Sequence, residues 1–362
     1  MGMNLSLYCL LLLILYDGCY AGPTGREFAT AFMQNYESGY GGPRYQLRVI
    51  SFSEGTKVKV SVPTLKFNQE WTSAASEDKT INLPDNIEVT GSKKSSNTVI
   101  IESSKDVSVA SFNYKLYTAD SSIVYPMTEW GTEYFVFTPA MSIAGSLAQV
   151  LLVNGKERNT VEVYPTVLLT FQGVVRLPFV KMVVELEPYE SAQIQSLFTL
   201  SGTRVSSQLP LAVYSGHTCT WRFSKCNHVY EQLLPVKSWG TQFLVPPLSV
   251  QTLFDSVYIQ GAEPTWFTVS TGRLTTKYLL TRGGTLEFPL KPPDALYIVA
   301  EKPVQVLLLF NGVTAPLGTF YDPFLINVMP SSSFCSSYRL IGQVDFDNRA
   351  LLVPSLEGSR RQ

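Results

Sequence analysis

The amino-acid sequence predicts an all-β fold made of three consecutive antiparallel β-sandwich repeats of about 100 residues each. Three observations support this prediction. A short pattern centred on Trp-Gly recurs at intervals of roughly a hundred residues, which is the length of a domain. Between its copies, apolar and polar residues alternate with a period of two, as they do in half-buried strands. The 22 prolines and 24 glycines provide frequent turns, and helical periodicity is nearly absent.

The recurring pattern is Pro-x-x-x-Trp-Gly-x-x-aromatic, and it sets the repeat boundaries. The first two copies are complete and the third is degraded, with Phe in the Trp position and Cys in the Gly position. Their key residues are Pro126, Trp130 and Gly131; Pro235, Trp239 and Gly240; Pro330, Phe334 and Cys335. The Gly-x-x-aromatic half also occurs alone at 25–28. The predicted domains are therefore 22–130, 131–239 and 240–354, followed by a disordered tail at 355–362.

Each repeat is expected to begin with two paired strands joined by a turn dipeptide such as Asn154-Gly155, which tolerates positive φ. The expected pairs are Gln46–Ser51 with Lys57–Val62, Ala148–Val153 with Thr160–Tyr164, and Asp255–Gln260 with Thr265–Val269. In the second strand, Val58, Val60 and Val62 alternate with polar residues. This period predicts that the three valines share the buried face of a sheet.

A nearly apolar strand follows later in each repeat, at Val107–Asn113, Leu211–His217 and Val304–Asn311. After the third repeat, Phe346–Val353 aligns with the segment that begins at Phe254, so a partial fourth repeat is present. We expect this stub to complete the third sandwich, because an added strand would cover an otherwise exposed sheet edge. The alternative is a truncated array of repeats.

The N-terminal residues 1–21 are predicted to be a secretory signal peptide. The apolar run Leu5–Tyr16 is too short to span a bilayer, and Cys19-Tyr20-Ala21 places small residues at a cleavage site. Its removal takes away Asp17 and no basic residue, which changes the net charge of −1 to zero. A neutral chain without a basic stripe is not expected to bind nucleic acid, and no transmembrane segment follows the signal. The one Asn-x-Ser/Thr sequon, at Asn4, lies inside the signal.

Five short motifs together carry a family resemblance. They are Gly25–Phe32, Ser215–Cys219, Cys226–Val229, Trp239–Thr241 and Asp322–Val328. In this order and spacing they resemble the N-terminal domain of the IgGFc-binding protein family. The resemblance covers Gly25 to about Pro354 and implies an extracellular, mucus- or epithelium-associated binding module, in a family named for its ligand immunoglobulin Fc.

One expectation for such a family does not transfer to this chain. Large members continue into von Willebrand factor type D repeats, whereas this sequence ends at Gln362, so polymerisation through those repeats is not expected. The resemblance implies no catalytic residue.

Both histidines of the chain lie in the cluster His217-x-Cys219-x6-Cys226-x-His228. Two thiolates and two imidazoles would suit a tetrahedral zinc ion. A Cys219–Cys226 disulfide is favoured instead, because secreted proteins mature in an oxidising compartment and His-x-Cys is not a usual zinc-finger spacing. No metal or other cofactor is therefore predicted.

Cys335 remains once Cys9 and Cys19 leave with the signal. A sheltered thiol is favoured for Cys335 because it replaces a junction glycine. A Cys335-linked dimer is the alternative.

No enzyme signature accompanies this cluster: the sequence contains neither a Gly-x-Ser-x-Gly elbow nor a His-Glu-x-x-His motif. We therefore predict a non-enzymatic protein that recognises immunoglobulin Fc or a mucus or epithelial glycoprotein. The alternatives are a structural mucus or matrix component without a discrete ligand, and a zinc enzyme at the cluster.

The loop around the two cysteines is the predicted recognition site, because loops on rigid sheets commonly carry function. The candidate binding residues are His217, Thr218, Trp221, Arg222 and His228. Trp130, Trp239 and Phe334 could be exposed ligand anchors, since aromatics concentrate in binding hot spots. We favour a packing role at the domain junctions, because a recurring Trp more often fills an interface.

Overall fold

The computed structural model describes residues 23–36, 42–140, 145–223, 225–272, 274–314 and 320–334. Within these ranges every long element is a β-strand, and the helical segments are single 3₁₀ turns such as Met127–Glu129 and Val236–Ser238. The all-β prediction is confirmed. The predicted signal peptide, Cys335, the Phe346–Val353 stub and the 355–362 tail lie outside the described residues.

The strands follow the chain in three successive groups. The first comprises β1 (Gly25–Thr30), β2 (Arg44–Ser51), β3 (Thr56–Val62), β4 (Phe67–Ser73), β5 (Asp78–Asn82), β6 (Lys94–Ser95), β7 (Val99–Lys115) and β8 (Thr118–Val124). The second comprises β9 (Gly131–Phe135), β10 (Ala148–Val153), β11 (Asn159–Tyr164), β12 (Leu169–Phe171), β13 (Val174–Arg176), β14 (Met182–Leu186), β15 (Ser191–Ser196), β16 (Arg204–Arg222) and β17 (Lys225–Gln232). The third comprises β18 (Gly240–Val245), β19 (Asp255–Gly261), β20 (Thr265–Thr271), β21 (Leu274–Leu280), β22 (Thr285–Leu290), β23 (Leu296–Phe310), β24 (Val313–Thr314), β25 (Phe320–Tyr321) and β26 (Phe324–Asn327).

One antiparallel pairing scheme occurs in all three groups. In the first, the order is β4-β3-β7-β2-β5, and β1 and β8 also pair with β7. The third has the order β21-β20-β23-β19-β22, and β18 and β26 also pair with β23. In the second, the strands that correspond to these two orders are β14-β11-β16-β10-β15, and β9 and β17 also pair with β16. Two further strands, β12 and β13, extend this sheet beyond β15. Each group is therefore built around one long strand.

The predicted opening hairpins are wrong in their pairing, although the strands themselves are present. β2 and β3 both pair with β7, at Val107–Tyr114 and Ile100–Ser103 respectively, and they do not pair with each other. The same holds for β10 and β11 on β16, and for β19 and β20 on β23. The turn residues therefore carry the chain from one half of a long strand to the other. Val58, Val60 and Val62 are buried as predicted.

The glycine that begins each group makes the same irregular pairing with the long strand. Gly25 lies opposite Val107, and after a register shift Glu27 lies opposite Glu102. In the second group Gly131 lies opposite Leu211, and after the register shift Glu133 lies opposite Ser206. In the third group Gly240 lies opposite Val304, and after the shift Gln242 lies opposite Val299. A Cβ on any of these glycines would overlap the Cβ of the next junction proline, respectively Pro126, Pro235 and Pro330. The Pro-x-x-x-Trp-Gly pattern thus encodes a close contact between the first strand of a group and the junction that ends it.

The described residues form two compact units. The N-terminal unit consists of Pro23–Trp221 and Cys226–Lys237, and the C-terminal unit consists of Arg222–Lys225 with the described residues of Ser238–Gln362. The first group packs around Phe28, Leu47 and Val109. In the C-terminal unit a corresponding core surrounds Phe243 and Phe267.

Candidate functional site

The two cysteines predicted to staple a loop lie near the end of a long hairpin. Cys219 of β16 and Cys226 of β17 are joined by a disulfide, with Cα atoms 5.3 Å apart and a sequence separation of 7. β16 continues to Arg222 and β17 begins at Lys225, so most of the presumed loop is strand. The close approach of the two strands requires glycine at 216, since a Cβ there would overlap the carbonyl oxygen of Val229. We call residues 217–228 the stapled hairpin.

Three of the five candidate binding residues point into the protein. His217, Thr218 and His228 are at most 4% exposed. The Thr218 hydroxyl accepts a hydrogen bond from the backbone N–H of Leu147 at 2.8 Å. These side chains support the hairpin, and in this conformation they do not offer a surface to a ligand. Trp221 is 40% exposed and Arg222 is half-buried, so the outward part of the predicted site consists of these two residues.

Both imidazoles make hydrogen bonds inside the N-terminal unit. His217 Nδ1 accepts from the backbone N–H of Cys219 at 3.2 Å. His228 Nδ1 lies 3.0 Å from the carbonyl oxygen of His217, which can only accept, so Nδ1 carries the proton. The Nε2 atom of His228 is then free to accept from the Asn113 amide at 3.3 Å. Burial lowers the pKa of His228 to about 3, which keeps the ring neutral.

The four groups considered for zinc are committed to other bonds. The two sulfurs are joined to each other, and the imidazoles are hydrogen-bonded as described. Among the described residues no set of three or more His, Cys, Asp or Glu side chains is arranged to hold a metal ion.

Within the C-terminal unit, Arg222, Phe223 and Lys225 each contact a polar or aromatic partner. Arg222 Nε donates to Asn311 Oδ1 at 3.0 Å, and Phe223 meets Phe254 edge to face at 5.7 Å. The Lys225 ammonium lies 4.3 Å from the centre of the Phe320 ring. These three side chains are therefore engaged by packing and hydrogen bonds within the C-terminal unit.

Asn311 belongs to a buried polar cluster that includes Asp255. Asp255 Oδ1 accepts from the Gln251 amide at 2.6 Å and from the Asn311 backbone N–H at 3.0 Å. Its Oδ2 atom is buried and has no hydrogen-bond partner. Burial raises the pKa of Asp255 to about 6, and burial likewise raises the pKa of Asp322 to about 6.

A ladder of side chains on β8 satisfies the outer edge of β17, and the sequence analysis missed it. The pairs, acceptor first, are Thr118 Oγ1 with His228 N–H (2.8 Å), Asp120 Oδ2 with Tyr230 N–H (3.0 Å) and Ser122 Oγ with Gln232 N–H (3.0 Å). The signal in the sequence is a polar residue at every second position from 118 to 122. Burial of the Asp120 carboxyl raises its pKa well above the usual value. The ladder leaves the backbone of β17 with partners on both sides.

The junction aromatics differ in burial. Trp130 is 2% exposed, belongs to a core cluster with Met33 and Tyr214, and donates its indole N–H to the Tyr125 carbonyl oxygen at 3.1 Å. Trp239 is also buried, and Phe334 is half-buried at the end of the 3₁₀ turn Ser331–Ser333. These positions leave little of Trp130 or Trp239 available as a ligand anchor.

A large group of exposed apolar side chains lies in the N-terminal unit, and the sequence analysis missed it too. Its members are Leu168, Val174, Val175, Leu177, Phe179 and Val180, each at least 47% exposed. All six belong to a segment, 165–181, that runs between β11 and β14. We call these six residues the apolar surface. Exposed apolar patches of this kind commonly mark interaction sites.

The chain thus combines an all-β fold with an apolar surface and a disulfide-linked hairpin. The chain belongs to the IgGFc binding protein family, whose model matches residues 120–360. Over 332 residues it is 35% identical to the human IgGFc-binding protein. That alignment covers 91% of this chain and 6% of the human protein, so the chain corresponds to a small part of its relative.

Two solved structures of bacterial ice-binding adhesins also match at low similarity. A Ca²⁺-stabilised adhesin of an Antarctic bacterium is 9% identical, with 84% of this chain and 74% of the adhesin covered and a TM-score of 0.15. A second, 1.5-MDa ice-binding adhesin is 9% identical, with 80% and 90% covered and a TM-score of 0.13. At such TM-scores neither match carries a structural argument. Within the described part of the chain, no helix is long and apolar enough to cross a membrane.

Proposed function

We propose that this chain is a secreted, non-enzymatic module that binds the Fc region of immunoglobulin. The observation that carries the proposal is family membership over most of the chain, including both cysteines of the stapled hairpin. The name of the human relative states Fc binding for that protein. Because this chain corresponds to 6% of its relative, Fc binding by this segment is an inference.

The physical character of the molecule agrees with protein recognition. Its net charge is close to zero, so long-range attraction to a polyanion contributes little. The sheets are braced by buried hydrogen bonds such as the ladder onto β17, which gives a rigid scaffold. Rigid scaffolds lose little conformational entropy on binding, and this favours affinity from a small contact area.

The experiment is a pull-down from host mucosal secretion with the mature chain as bait, followed by mass spectrometry of the captured proteins. Saturable capture of immunoglobulin, competed by free Fc, supports the proposal. Selective capture of a mucus or epithelial glycoprotein would replace Fc as the ligand. Capture of neither at tens of micromolar would favour a structural component without a discrete ligand.

A further inference from the structure

The apolar surface is carried by an insertion that the fold does not need. β3 leads to β4 through residues 63–66, and β20 leads to β21 through residues 272–273. The corresponding strands β11 and β14 are separated by residues 165–181, which form the β12–β13 hairpin and the turn that follows it. The pairing scheme common to the three groups is complete without this segment. Leu169 and Phe171 of the segment are buried, whereas the six exposed side chains of the apolar surface bury little area within the fold.

Backbone hydrogen bonds hold the insertion in one shape. The Phe179 N–H donates to the carbonyl oxygen of Pro165 at 2.7 Å, which closes the segment on itself. Thr170 of β12 pairs with Gln195 of β15, and the Ser196 hydroxyl donates to the Leu168 carbonyl oxygen at 3.3 Å. These bonds fix the insertion to the sheet. The Ser196 hydroxyl also accepts a hydrogen bond from the backbone N–H of the exposed Phe198 at 3.0 Å, so Phe198 and Leu168 share one hydrogen-bond partner.

Phe179 is the most prominent side chain of the apolar surface. It is 80% exposed, and its φ of 62° lies in the left-handed region that favours glycine. A bulky residue in this region is strained, and such strain is concentrated at functional sites. At 80% exposure the Phe179 ring contributes little apolar burial to the folded chain. A rigid aromatic flanked by Leu177 and Val180 has the form of a binding hot spot.

The charge on the insertion indicates what kind of surface would cover it. Segment 165–181 contains two charged residues, Arg176 and Lys181, and no acid. Lys181 forms an ion pair with Glu162 at 2.7 Å. Arg176 has no ionic partner among the described residues, and its Nε atom is buried without a hydrogen-bond acceptor. A complementary surface would thus be apolar and would carry a carboxylate.

A second copy of this chain fits these charges poorly. A two-fold contact between two apolar surfaces would place two Arg176 side chains in one interface with no acid from either insertion. Like charges at an interface suppress association.

We propose that the apolar surface is the contact site for immunoglobulin Fc, with Phe179 as its anchor and Arg176 paired to a carboxylate of Fc. This inference rests on the proposed function and adds the location of the site. It places the contact on the insertion and not on the outward residues of the stapled hairpin. A truncated hot-spot aromatic commonly weakens binding by about 30-fold or more.

The test is a titration of purified Fc with the full mature chain and three single variants. Phe179→Ser should raise the Kd by roughly 30-fold, and Arg176→Glu should raise it and reduce its dependence on salt. The matched control is Leu274→Ser on β21, an apolar side chain that is 70% exposed in the C-terminal unit, and it should change the Kd by less than about 3-fold. Phe179 and Leu274 are largely exposed, whereas the Nε atom of Arg176 is buried, so thermal melts should confirm that each variant, Arg176→Glu above all, is folded.

Two further measurements separate this inference from the proposed function. If the wild-type chain binds Fc and Phe179→Ser binds equally well, the apolar surface is not the site, and loss of binding in Trp221→Ala would assign the contact to the stapled hairpin. If the wild-type chain does not bind Fc, both proposals are overturned. Sedimentation that shows a wild-type dimer dissociated by Phe179→Ser would identify a second copy as the occupant and would also overturn the inference.

Discussion

Replacement of Gly131 by alanine tests the contact that the recurring sequence pattern encodes. The new Cβ would overlap the Pro235 Cβ and lie 3.1 Å from its Cγ, in contrast to ordinary contacts of 3.4–4 Å. The proline ring is rigid and leads directly into the 3₁₀ turn Val236–Ser238, so backbone must move. The Gly131 N–H also donates to the Tyr134 hydroxyl at 3.0 Å, and that hydroxyl donates to the Leu211 carbonyl oxygen at 2.7 Å.

These contacts determine how far Gly131→Ala should lower the free energy of unfolding. Overpacking by one methyl group costs about 1–3 kcal/mol, and a rigid obstacle places Gly131→Ala at the upper end of that range. Weakening of a buried hydrogen bond adds about 1 kcal/mol. We therefore expect the free energy of unfolding of the N-terminal unit to fall by about 3–4 kcal/mol, measured by urea denaturation with circular dichroism and tryptophan fluorescence as independent probes.

The control is Gly155→Ala in the same unit, where the new Cβ would lie 3.6 Å from the Trp130 ring. This change should alter the free energy of unfolding by no more than about 0.5 kcal/mol. If Gly131→Ala were as stable as Gly155→Ala, the glycine would not be required for the junction contact, and the physical reading of the pattern would fail.

Three further predictions concern two buried ionisable side chains and the disulfide. The raised pKa of Asp255, about 6 against 3.8, means that its stabilising contribution is complete below pH 3.8 and is lost as pH rises through 6. At pH 7.5 the Asp255→Asn variant should therefore be more stable than wild type by up to ~3 kcal/mol and should unfold at a higher temperature. Calorimetry should show that this difference vanishes near pH 4. The lowered pKa of His228, about 3 against 6.5, means that the unfolded chain takes up a proton before the folded chain does as pH falls. Below pH 6.5 the free energy of unfolding of wild type should therefore drop by up to ~1.4 kcal/mol per pH unit relative to His228→Gln in matched urea titrations. Parallel pH profiles of the two proteins would contradict this. Replacement of both Cys219 and Cys226 by Ser should lower the free energy of unfolding by about 2–3 kcal/mol, by the chain-entropy relation. Peptide mapping of the unreduced wild-type protein should recover the two cysteines in one linked peptide pair. Free thiols with bound zinc would contradict the disulfide.

The positions of the strands could be predicted from the sequence because alternation of apolar and polar residues is a local property. Val58, Val60 and Val62 show this, since their spacing alone identifies the buried face of β3. Which strands pair is not a local property. A dipeptide such as Glu54-Gly55 suits a hairpin turn and equally suits a crossing between the two halves of β7, so the pairing of β2 with β3 was predicted wrongly.

The candidate site was harder to predict than the fold. The stapled hairpin could be located from its cysteines, but the burial of His228 depends on β8, whose side chains cover β17 from more than a hundred residues away in sequence. Phe179 lies in an apolar run that resembles core strands, and its exposure follows from the insertion being extra to the shared pairing scheme. The division into three β-sandwich domains and the role of Cys335 stay predictions.

The most direct test of Fc recognition is calorimetric titration of the mature chain with two purified immunoglobulin fragments, Fc and Fab. The two are built from the same type of domain, so non-specific adhesion to immunoglobulin folds would affect both. We expect one saturable site for Fc with a micromolar or lower Kd, which corresponds to a standard free energy of binding on the order of −8 kcal/mol. Fab should show no saturation. Equal binding of both fragments, or no heat with Fc at tens of micromolar, would contradict the assignment of this chain as an Fc-binding module.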